Sequence, residues 1–359
     1  MTLAIQRPTL LIDEAICRSN IQRMKERADS AGIIFRPHFK THQSAQIGAW
    51  FREAGVEKIT VSSVEMAQYF SQHGWYDITI AFPYNPLEAS AIDLLARDIK
   101  LGILIESEGA LAHAAKHLSS PIHYWIKIDV GTGRTGIDER HFEMLSKLRK
   151  SSNSNHHCAG VLAHAGHTYQ QLDMNSVRKI FEESLRLLNA AREMIGGDIL
   201  LSYGDTPTCS FLTDWTGVDE MRPGNFVFYD TMQYDFGSCS VENIAVCMVC
   251  PVVAIHQDRN EAVIYGGAVH FSKDFIDREE GKYGILVKLT DNTWEKQPSG
   301  GLIRLSQEHG IISGDPDYIR SLRIGDLVGI LPIHSCLTAD LQGSYLSLSG
   351  NVIAKMTKV

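Results

Sequence analysis

A lysine between two histidines is the part of this sequence that points most directly to covalent chemistry. Lys40 lies between His38 and His42 in the segment RPHFKTH. Alternate residues share one face of a strand, so an extended segment would place the amine among two imidazoles. Neighbouring positive charge and desolvation both lower the pKa of a lysine, which favours the neutral amine that forms a Schiff base. We predict Lys40 as a catalytic residue, with His38 beside it as a cofactor-binding residue.

A histidine and a cysteine two positions apart form a second candidate site. His334 and Cys336 end the apolar run LVGILPIH. On a strand they would share a face, and an imidazole with a thiolate suits zinc or another divalent metal. Two protein ligands leave coordination positions for water and substrate, as a catalytic metal requires. The alternative is a buried cysteine next to a hydrogen-bonded histidine.

Two glycine-containing loops could hold a phosphate or a carboxylate. In GTGRTG (131–136) no long helix follows at once, so we exclude a dinucleotide fingerprint and keep Arg134 as a cation facing a cofactor or a carboxylate. In SYGDTPT (202–208), Gly204 permits close backbone approach, while Ser202 and Thr206 supply hydroxyls. An ordinary Gly-Asp turn is the alternative for this second loop.

Alternating strands and helices must position these residues. Eight short apolar runs precede residue 231, and helical segments separate most of them. This alternation predicts a parallel sheet, and eight units predict a (β/α)8 TIM-like barrel, whose active site lies at the carboxyl ends of its strands. The eight predicted strand ends are HFKTH (38–42), VSSVE (61–65), PYN (83–85), IES (105–107), DVGTGRTG (129–136), HAGHTY (164–169), SYGDTPT (202–208) and FYD (228–230).

The pattern changes after residue 230 to strands joined by turns, including VENIAVCMVCPVVAIH, EAVIYGG and DLVGILPIH. No convincing long helix lies among them, which predicts a mostly β domain. We therefore predict a barrel over residues 11–230 and a β-rich domain over residues 231–359, joined by residues 1–10. The β-rich domain would carry the His334 and Cys336 metal site.

Composition and charge exclude several classes of protein. The 359 residues contain 34 Lys and Arg against 42 Asp and Glu, a net charge of −8 that disfavours a nucleic-acid partner. No apolar run reaches the roughly 20 residues of a membrane span, and the first residues lack the layout of a signal peptide. Seven scattered cysteines suit a reducing compartment, so we predict a cytoplasmic protein.

Six motifs occur in one order along the chain and carry a resemblance to a known family. They are RPHFKTH, DVGTGRTG, HAGHTY, SYGDTPT, MRPGNFVFYD and HSC. Together they resemble the D-serine dehydratase / D-threonine aldolase family, which has the alanine-racemase type of fold. The resemblance implies a barrel that binds pyridoxal 5′-phosphate, a β domain with a zinc site close to the cofactor, and a homodimer.

The resemblance also implies roles for individual residues around the cofactor. Lys40 looks like the lysine that binds pyridoxal phosphate, and Gly204, Asp205 and Thr206 match the phosphate loop. Tyr229, in MRPGNFVFYD, matches a residue close to the cofactor.

Further positions match residues on the substrate side of the family's site. Arg134 looks like the arginine near the pyridine ring, and its partner there stays open. His167 and Tyr169 resemble residues that line the substrate side of the ring, and we predict both as catalytic. His334 and Cys336 look like the zinc ligands.

The implied reaction is β-elimination of water from a D-3-hydroxy amino acid, giving a 2-oxo acid and ammonia. The preference for D-substrates comes from the resemblance alone. A retro-aldol cleavage to glycine and an aldehyde, with His167 as the base, is the first alternative. The pattern His-x-Cys favours dehydration, because the family's aldolases tend to present His-Cys-Asp there. Two further alternatives are a non-catalytic protein that binds pyridoxal phosphate and an amino-acid racemase, with Tyr169 or a residue of a partner subunit as its second base.

Overall fold

The structure is a computed structural model, and it describes residues 4–171, 173–277, 281–291 and 293–357. Within these residues the chain forms two compact units. The first contains the residues up to Ile21, Thr41–Trp50 and the residues from Asn225 onwards. The second contains Gln22–Lys40 and Phe51–Gly224.

The strands and helices of the described residues are numbered in chain order. The strands are β1 (Thr9–Ile12), β2 (Ile34–Phe35), β3 (Lys58–Val61), β4 (Asp77–Pro83), β5 (Lys100–Ile105), β6 (Ile122–Lys127), β7 (His156–Ala163), β8 (Leu200–Tyr203), β9 (Glu220–Met221), β10 (Val246–His256), β11 (Glu261–Tyr265), β12 (Gly284–Val287), β13 (Gly300–Leu305), β14 (His309–Gly314), β15 (Leu327–Pro332), β16 (Ser344–Ser347) and β17 (Val352–Ala354). The helices are α1 (Glu14–Ala31), α2 (Ala45–Glu53), α3 (Val64–Gln72), α4 (Ala89–Leu95), α5 (Glu108–His117), α6 (Leu145–Lys150), α7 (Met174–Ile195), α8 (Thr206–Phe211), α9 (Thr231–Asp235), α10 (Ala268–Phe271), α11 (Pro316–Ser321) and α12 (Ser335–Asp340).

The second unit is built on a parallel sheet of eight strands in the order β2-β9-β8-β7-β6-β5-β4-β3. The two edge strands meet through one isolated parallel bridge between His38 and Thr60. Phe39 N donates to Thr60 O at 2.9 Å, and Thr60 N donates to Pro37 O at 2.9 Å. These contacts close the sheet into a barrel, so the carboxyl ends of its strands share one mouth.

Local sequence signals explain where the barrel helices begin. The side chains of Ser63, Ser107 and Asp173 cap α3, α5 and α7, each accepting a hydrogen bond from a backbone amide of the first turn. On α7, residues such as Val177, Phe181 and Leu188 recur at helical spacing and are buried.

The last barrel strand differs from the sequence prediction. The prediction placed it in NFVFYD, but the eighth strand is β9, the dipeptide Glu220–Met221. Asn225–Val227 is instead a short 3-10 turn, because Asn225 O accepts hydrogen bonds from the amides of Phe228 and Tyr229. Two residues carry no readable alternation, so the longer apolar run nearby was the stronger sequence signal.

The first unit contains a nine-stranded sheet in the order β11-β14-β13-β12-β15-β10-β1-β16-β17. Its longest strand, β10, pairs antiparallel with β1, β11 and β15. The strand from the chain's beginning, β1, belongs to this sheet and is parallel to β16.

The predicted fold class is confirmed: a (β/α)8-type barrel and a mostly β unit occur in one chain. Among the described residues, no helix has the length and apolar character needed to cross a membrane.

Candidate active site

Lys40 lies on a turn that follows the first barrel strand. Its neighbour Phe39 is fully buried, and its ring lies 5.0 Å from that of Trp75 and 4.9 Å from that of Phe70. His38 Nδ1 accepts a hydrogen bond from the amide of Lys40 at 3.3 Å. The buried phenyl ring and the His38–Thr60 bridge therefore hold the turn, while Lys40 itself is exposed.

The local geometry differs from the extended segment that we expected around Lys40. Residues 39–42 form turns, so His38, Lys40 and His42 do not share a strand face. His42 is fully buried and belongs to the first unit, and burial lowers its pKa to about 3. Because a neutral imidazole contributes no positive charge, the charge argument for Lys40 does not extend to His42.

The loop after β6 folds compactly around one carboxylate, that of Asp129. Asp129 Oδ1 accepts hydrogen bonds from the amides of Gly131, Thr132 and Gly133 at 2.9–3.1 Å. The amide of Gly136 donates to the carboxylate of Glu106, from the loop after β5. Arg134 stands exposed on this loop, with its guanidinium available to a bound group.

Lys127 is a functional candidate that the sequence prediction missed. Its side chain is buried at the end of β6, and its Nζ donates to Ile128 O at 3.1 Å. Burial, followed by the positive charge of Arg222, lowers the pKa of Lys127 to about 7. The charges of Asp129, Arg134 and Glu106 also act on this amine, so it lies among the groups of the barrel mouth. The available signal was a lysine inside the buried run WIKIDV.

Two histidines follow β7. His164 Nδ1 donates to Gly204 O at 2.5 Å, and burial together with the charge of Lys40 holds the pKa of His164 well below its usual range. His167 is partly buried, and burial lowers its pKa, so its imidazole is neutral at pH 7. His167 Nδ1 lies 3.4 Å from the hydroxyl of Thr132. Lys40 and both histidines thus belong to one mouth of the barrel.

The loop after β8 brings together most of the predicted phosphate residues. Asp205 caps α8 by accepting a hydrogen bond from Thr208 N at 2.7 Å, and burial raises the pKa of Asp205 to about 6. The hydroxyl of Tyr169 accepts a hydrogen bond from Thr206 N at 3.1 Å. A Cβ on Gly204 would lie 2.8 Å from the Cβ of Arg222, so a larger residue would clash there and glycine is required.

Arg222 is a second residue that the sequence prediction missed, although it lies in the quoted motif MRPGNFVFYD. It is buried, its Nε donates to Ser202 Oγ at 2.7 Å, and its Nη2 donates to Ala163 O. The hydroxyl of Ser202 in turn donates to Glu220 Oε1 at 2.6 Å. Arg222 therefore ties together the ends of β7, β8 and β9, and the Ser202 hydroxyl is occupied within that network.

These residues fit pyridoxal phosphate. The hydroxyl of Thr206 is buried and has no hydrogen-bond partner among the described residues. A buried hydroxyl without a partner costs free energy, so the site favours an acceptor such as a phosphate oxygen there. Lys40 supplies an exposed amine at the same mouth.

The predicted metal pair lies in the first unit. His334 follows β15 and precedes α12, and Cys336 lies in the first turn of that helix. The two residues do not share a strand, but their side chains form a hydrogen bond. His334 Nδ1 donates to Asp274 Oδ2 at 2.6 Å. Burial lowers the pKa of His334, and the hydrogen bonds to Asp274 and Cys336 outweigh that effect and raise it to about 10.

A polar network surrounds Cys336. Its Sγ lies 3.1 Å from Thr41 Oγ1 and 3.5 Å from Asn225 Nδ2. Asn225 Nδ2 also donates to Asp230 Oδ2 at 2.6 Å, and Asp230 Oδ2 accepts from Ser335 N at 2.8 Å. Tyr229, next to this carboxylate, is buried and has a positive φ of 48°.

The pair fits a divalent metal of the zinc type. An imidazole nitrogen and a thiol sulfur are the donors that zinc prefers. The described residues contain no group of three His, Cys, Asp or Glu side chains that could hold a metal, so water or substrate would complete the coordination. Near the thiol, the buried Asn225 Oδ1 has no hydrogen-bond partner among the described residues and can accept one from such a water.

Comparisons with known proteins place this chain in a family. The alanine racemase N-terminal domain matches residues 12–231, and a putative serine dehydratase domain matches residues 245–348. The chain belongs to the alanine racemase N-terminal domain family. The family resemblance inferred from the sequence motifs is therefore confirmed.

Three relatives illustrate the range of this family. The D-threo-3-hydroxyaspartate dehydratase of Delftia sp. (strain HT23) is 28% identical over 97% of this chain and 96% of its own. A D-serine dehydratase of Dictyostelium discoideum is 28% identical over 94% of this chain and 92% of its own. A D-threonine aldolase of Arthrobacter sp. is more distant, at 20% identity over 99% of this chain and 92% of its own.

The fold of the Delftia enzyme matches closely. A solved cysteine-to-alanine mutant of that enzyme, in its metal-free form, superposes with a TM-score of 0.91 at 27% identity, covering 99% of each chain. The likeness thus spans both units of this chain, including the stretch that carries His334 and Cys336.

Proposed function

We propose that this protein is a pyridoxal-phosphate- and metal-dependent lyase that removes water from a D-3-hydroxy amino acid, giving a 2-oxo acid and ammonia. The observation that carries the proposal is the paired nitrogen and sulfur donor set of His334 and Cys336, held by Asp274 within the stretch that matches a serine dehydratase domain. The dehydratase relatives and the Lys40 turn on the barrel support the same class of reaction.

When bound, pyridoxal phosphate supplies an electron sink for the pair left at Cα, and a divalent metal supplies a Lewis acid at the β-hydroxyl. We assign the cofactor's carbonyl to Lys40 and its phosphate to Gly204, Asp205 and Thr206. Thr206 offers a buried hydroxyl without a partner among the described residues, and the Gly204 assignment rests on the resemblance. His38 fixes the Lys40 turn through its bridge to Thr60.

Three further residues belong to the cofactor site of this proposal. Tyr169 orients the phosphate loop, because its hydroxyl accepts a hydrogen bond from the amide of Thr206 at 3.1 Å. Tyr229 remains a proposed cofactor neighbour on the basis of the resemblance. Ser202 is also predicted to bind the cofactor. Its hydroxyl accepts a hydrogen bond from Arg222 Nε at 2.7 Å, so we assign it the role of positioning Arg222.

Lys40 Nζ is the group that we assign to accept the α-proton of the substrate. His164 is a poor proton acceptor for this role, because burial and the charge of Lys40 hold its pKa well below its usual range. We assign Arg134, which is exposed on the loop after β6, to pair with the substrate carboxylate. Loss of the α-proton and of the β-hydroxyl produces an enamine that hydrolyses to the 2-oxo acid and ammonia.

His334 and Cys336 are the residues that we assign to the metal. Because Nδ1 of His334 donates to Asp274, a metal would bind at Nε2 and would displace the proton that the raised pKa of His334 keeps there. The thiol of Cys336 contacts Thr41 and Asn225, which hold it in place beside the imidazole.

A retro-aldol cleavage is the second candidate, and one observation favours it. His167 is partly buried, and burial lowers its pKa, so a neutral imidazole capable of accepting the β-hydroxyl proton stands at the barrel mouth. Cleavage of the Cα–Cβ bond would then give glycine and an aldehyde.

The deciding experiment is to incubate the zinc-loaded protein and pyridoxal phosphate with D-threonine and identify the products. We expect 2-oxobutanoate and ammonia. Glycine with acetaldehyde would instead establish the retro-aldol reaction. A racemised substrate would contradict both lyase proposals and favour the racemase alternative with Tyr169 as a base.

The proposal also includes the oligomeric state of the protein and its cellular compartment. We propose a homodimer in the cytoplasm, acting on a small D-amino acid and binding neither nucleic acid nor a membrane. Cys17, Cys158, Cys209, Cys247 and Cys250 are buried thiols that form no disulfide in the described part of the chain, which supports a reducing compartment. Light scattering of the purified holoenzyme tests the dimer.

A further inference from the structure

The amino-terminal mouth of the barrel contains a cavity that the proposed reaction does not use. Its volume is about 270 Å³, and residues at the starts of the strands line it. Lys58, Asp77 and Lys100 begin β3, β4 and β5 and stand in register with one another. The candidate active site lies at the opposite ends of these strands, so the cavity is a separate feature of the barrel.

Small side chains explain why this end of the barrel is hollow. Barrel interiors are normally filled by layers of bulky side chains. Here the cavity is lined by Thr79, Gly102 and Ala159, and a Cβ on Gly102 would lie 2.7 Å from Thr79 Oγ1. Trp125 lines the cavity and also packs in a buried cluster with Leu104, which separates the cavity from the other mouth.

Asp77, a carboxylate that lines the cavity, already pairs with two cationic side chains. Asp77 accepts a hydrogen bond from Arg36 Nη1 at 2.6 Å and lies 3.5 Å from Lys100 Nζ. Arg36 is also bound at 2.6 Å to the buried carboxylate of Glu220. Lys58, by contrast, forms no salt bridge with any residue that the structure describes.

Two imidazoles line the same cavity. His123 on β6 and His157 on β7 stand in register, and their rings are 5.5 Å apart in an edge-to-face arrangement. Within the described ranges neither ring forms a hydrogen bond to the protein. The cavity therefore combines a lysine without an ion pair and two imidazoles that can donate hydrogen bonds.

We propose that this cavity is a binding site for a small inorganic oxyanion of the phosphate or sulfate type, held by Lys58, His123 and His157. Its volume of about 270 Å³ lies just below the roughly 300–1,000 Å³ of sites for drug-sized ligands, so the cavity suits a small ligand. The donors are cationic or can become so, and bonds from such donors to oxyanions are the strong ones. The proposal does not rest on the reaction proposed above.

Binding at this site is coupled to protonation of His123. Burial, and then the positive charge of Lys100, lower the pKa of His123. A bound anion opposes that effect by favouring the imidazolium. Affinity therefore falls as the pH rises through the titration of His123. The charged and titratable groups that face this pair are Arg36, Lys58, Asp77, Lys100 and Asp198.

Calorimetric titration of the holoenzyme with inorganic phosphate, and separately with sulfate, at about pH 6 and about pH 8 tests the site. We expect one site per chain, with tighter binding at the lower pH. Loss of a charge partner changes affinity by roughly 3- to 10-fold, so Lys58→Gln and His157→Gln weaken binding by that factor. Asp198→Asn, which removes a carboxylate from the rim, tightens binding. Lys116→Gln, on the exposed face of α5, is the matched control and leaves affinity unchanged.

The opposite signs of these variants keep the proposal falsifiable. If Lys58→Gln fails to fold, the gain expected from Asp198→Asn still decides the matter. Absence of binding at millimolar phosphate and sulfate at both pH values overturns the site. Binding that none of the three variants alters places the ion elsewhere and overturns it as well. Acetate binding as tightly as phosphate would overturn the assignment to an inorganic oxyanion.

Discussion

His334 donates its Nδ1 proton to Asp274, with 2.6 Å between the nitrogen and Oδ2. The contact joins the residue before α12 to a carboxylate 60 positions earlier in the chain. It fixes both the ring orientation and the nitrogen that remains for a metal. Outer partners of this kind are worth about 10- to 100-fold in metal affinity.

Replacing Asp274 with Asn should weaken metal binding without removing a metal ligand. We expect zinc affinity, measured by competition with a chromogenic chelator, to fall about 10- to 100-fold. The matched control is Asp277→Asn, an exposed carboxylate in the same segment, which should retain the wild-type affinity. Equal affinity in both variants would show that Asp274 does not position His334.

Replacing Cys336 with Ala should remove the sulfur donor. We expect zinc content after dialysis to fall and elimination from D-threonine to be lost, while the visible absorbance of the bound cofactor stays. Cys239→Ala serves as the control. Full dehydratase activity in Cys336→Ala would contradict the metal assignment.

Replacing Thr206 with Val should separate cofactor binding from folding. The Thr206 hydroxyl has no hydrogen-bond partner among the described residues, so its loss should leave the free energy of unfolding of the apoprotein unchanged or slightly higher. Affinity for pyridoxal phosphate should fall about 10-fold, since one hydrogen bond to a charged group is worth about 1.5 kcal/mol or more.

Thr208→Val is the matched control for this prediction. Thr208 lies on the same short helix, and its hydroxyl is 3.4 Å from that of Tyr203. It should leave cofactor affinity near the wild-type value. Unchanged affinity in Thr206→Val would remove this residue from the phosphate site.

The lowered pKa of Lys127 should make the free energy of unfolding depend on pH. Its pKa is about 7 in the folded protein and about 10.4 in an unfolded chain. Between these values the unfolded state binds more protons, so this residue makes stability rise with pH from about 7 to about 10. Lys127→Met should therefore stabilise the apoprotein by about 1 kcal/mol or more at pH 6, relative to its effect at pH 9.

Chemical denaturation at the two pH values measures this difference. The exposed Lys116→Met provides the control, because a solvated lysine has no such penalty to remove. A Lys127→Met effect that is the same at both pH values would contradict the lowered pKa.

The sequence alone predicted the barrel, because its strands alternate with helices at regular spacing and parallel strands place their ends at one mouth. Lys40, His167, Tyr169 and the loop at 202–208 stand where this topology puts them. Their individual roles remain predictions.

Other parts of the fold and of the candidate site could not be predicted from local sequence patterns. Lys127 and Arg222 acquire their character from burial among neighbouring charges, which depends on strands distant in the chain. The strand β9 is too short to show periodicity. His334 and Cys336 flank a helix start rather than sharing a strand, and Asp274 has no sequence signal that links it to them.

The closure between β2 and β3 rests on one bridge, while β6 and β7 pair over six positions. The lysine turn is attached to this sparsely bonded seam. Opening the seam breaks few backbone hydrogen bonds, so it is the place where the barrel should open first. Cofactor binding at Lys40 should then slow amide exchange at Phe39 and Thr60. The bound cofactor would in this way also stabilise the closed form of the barrel.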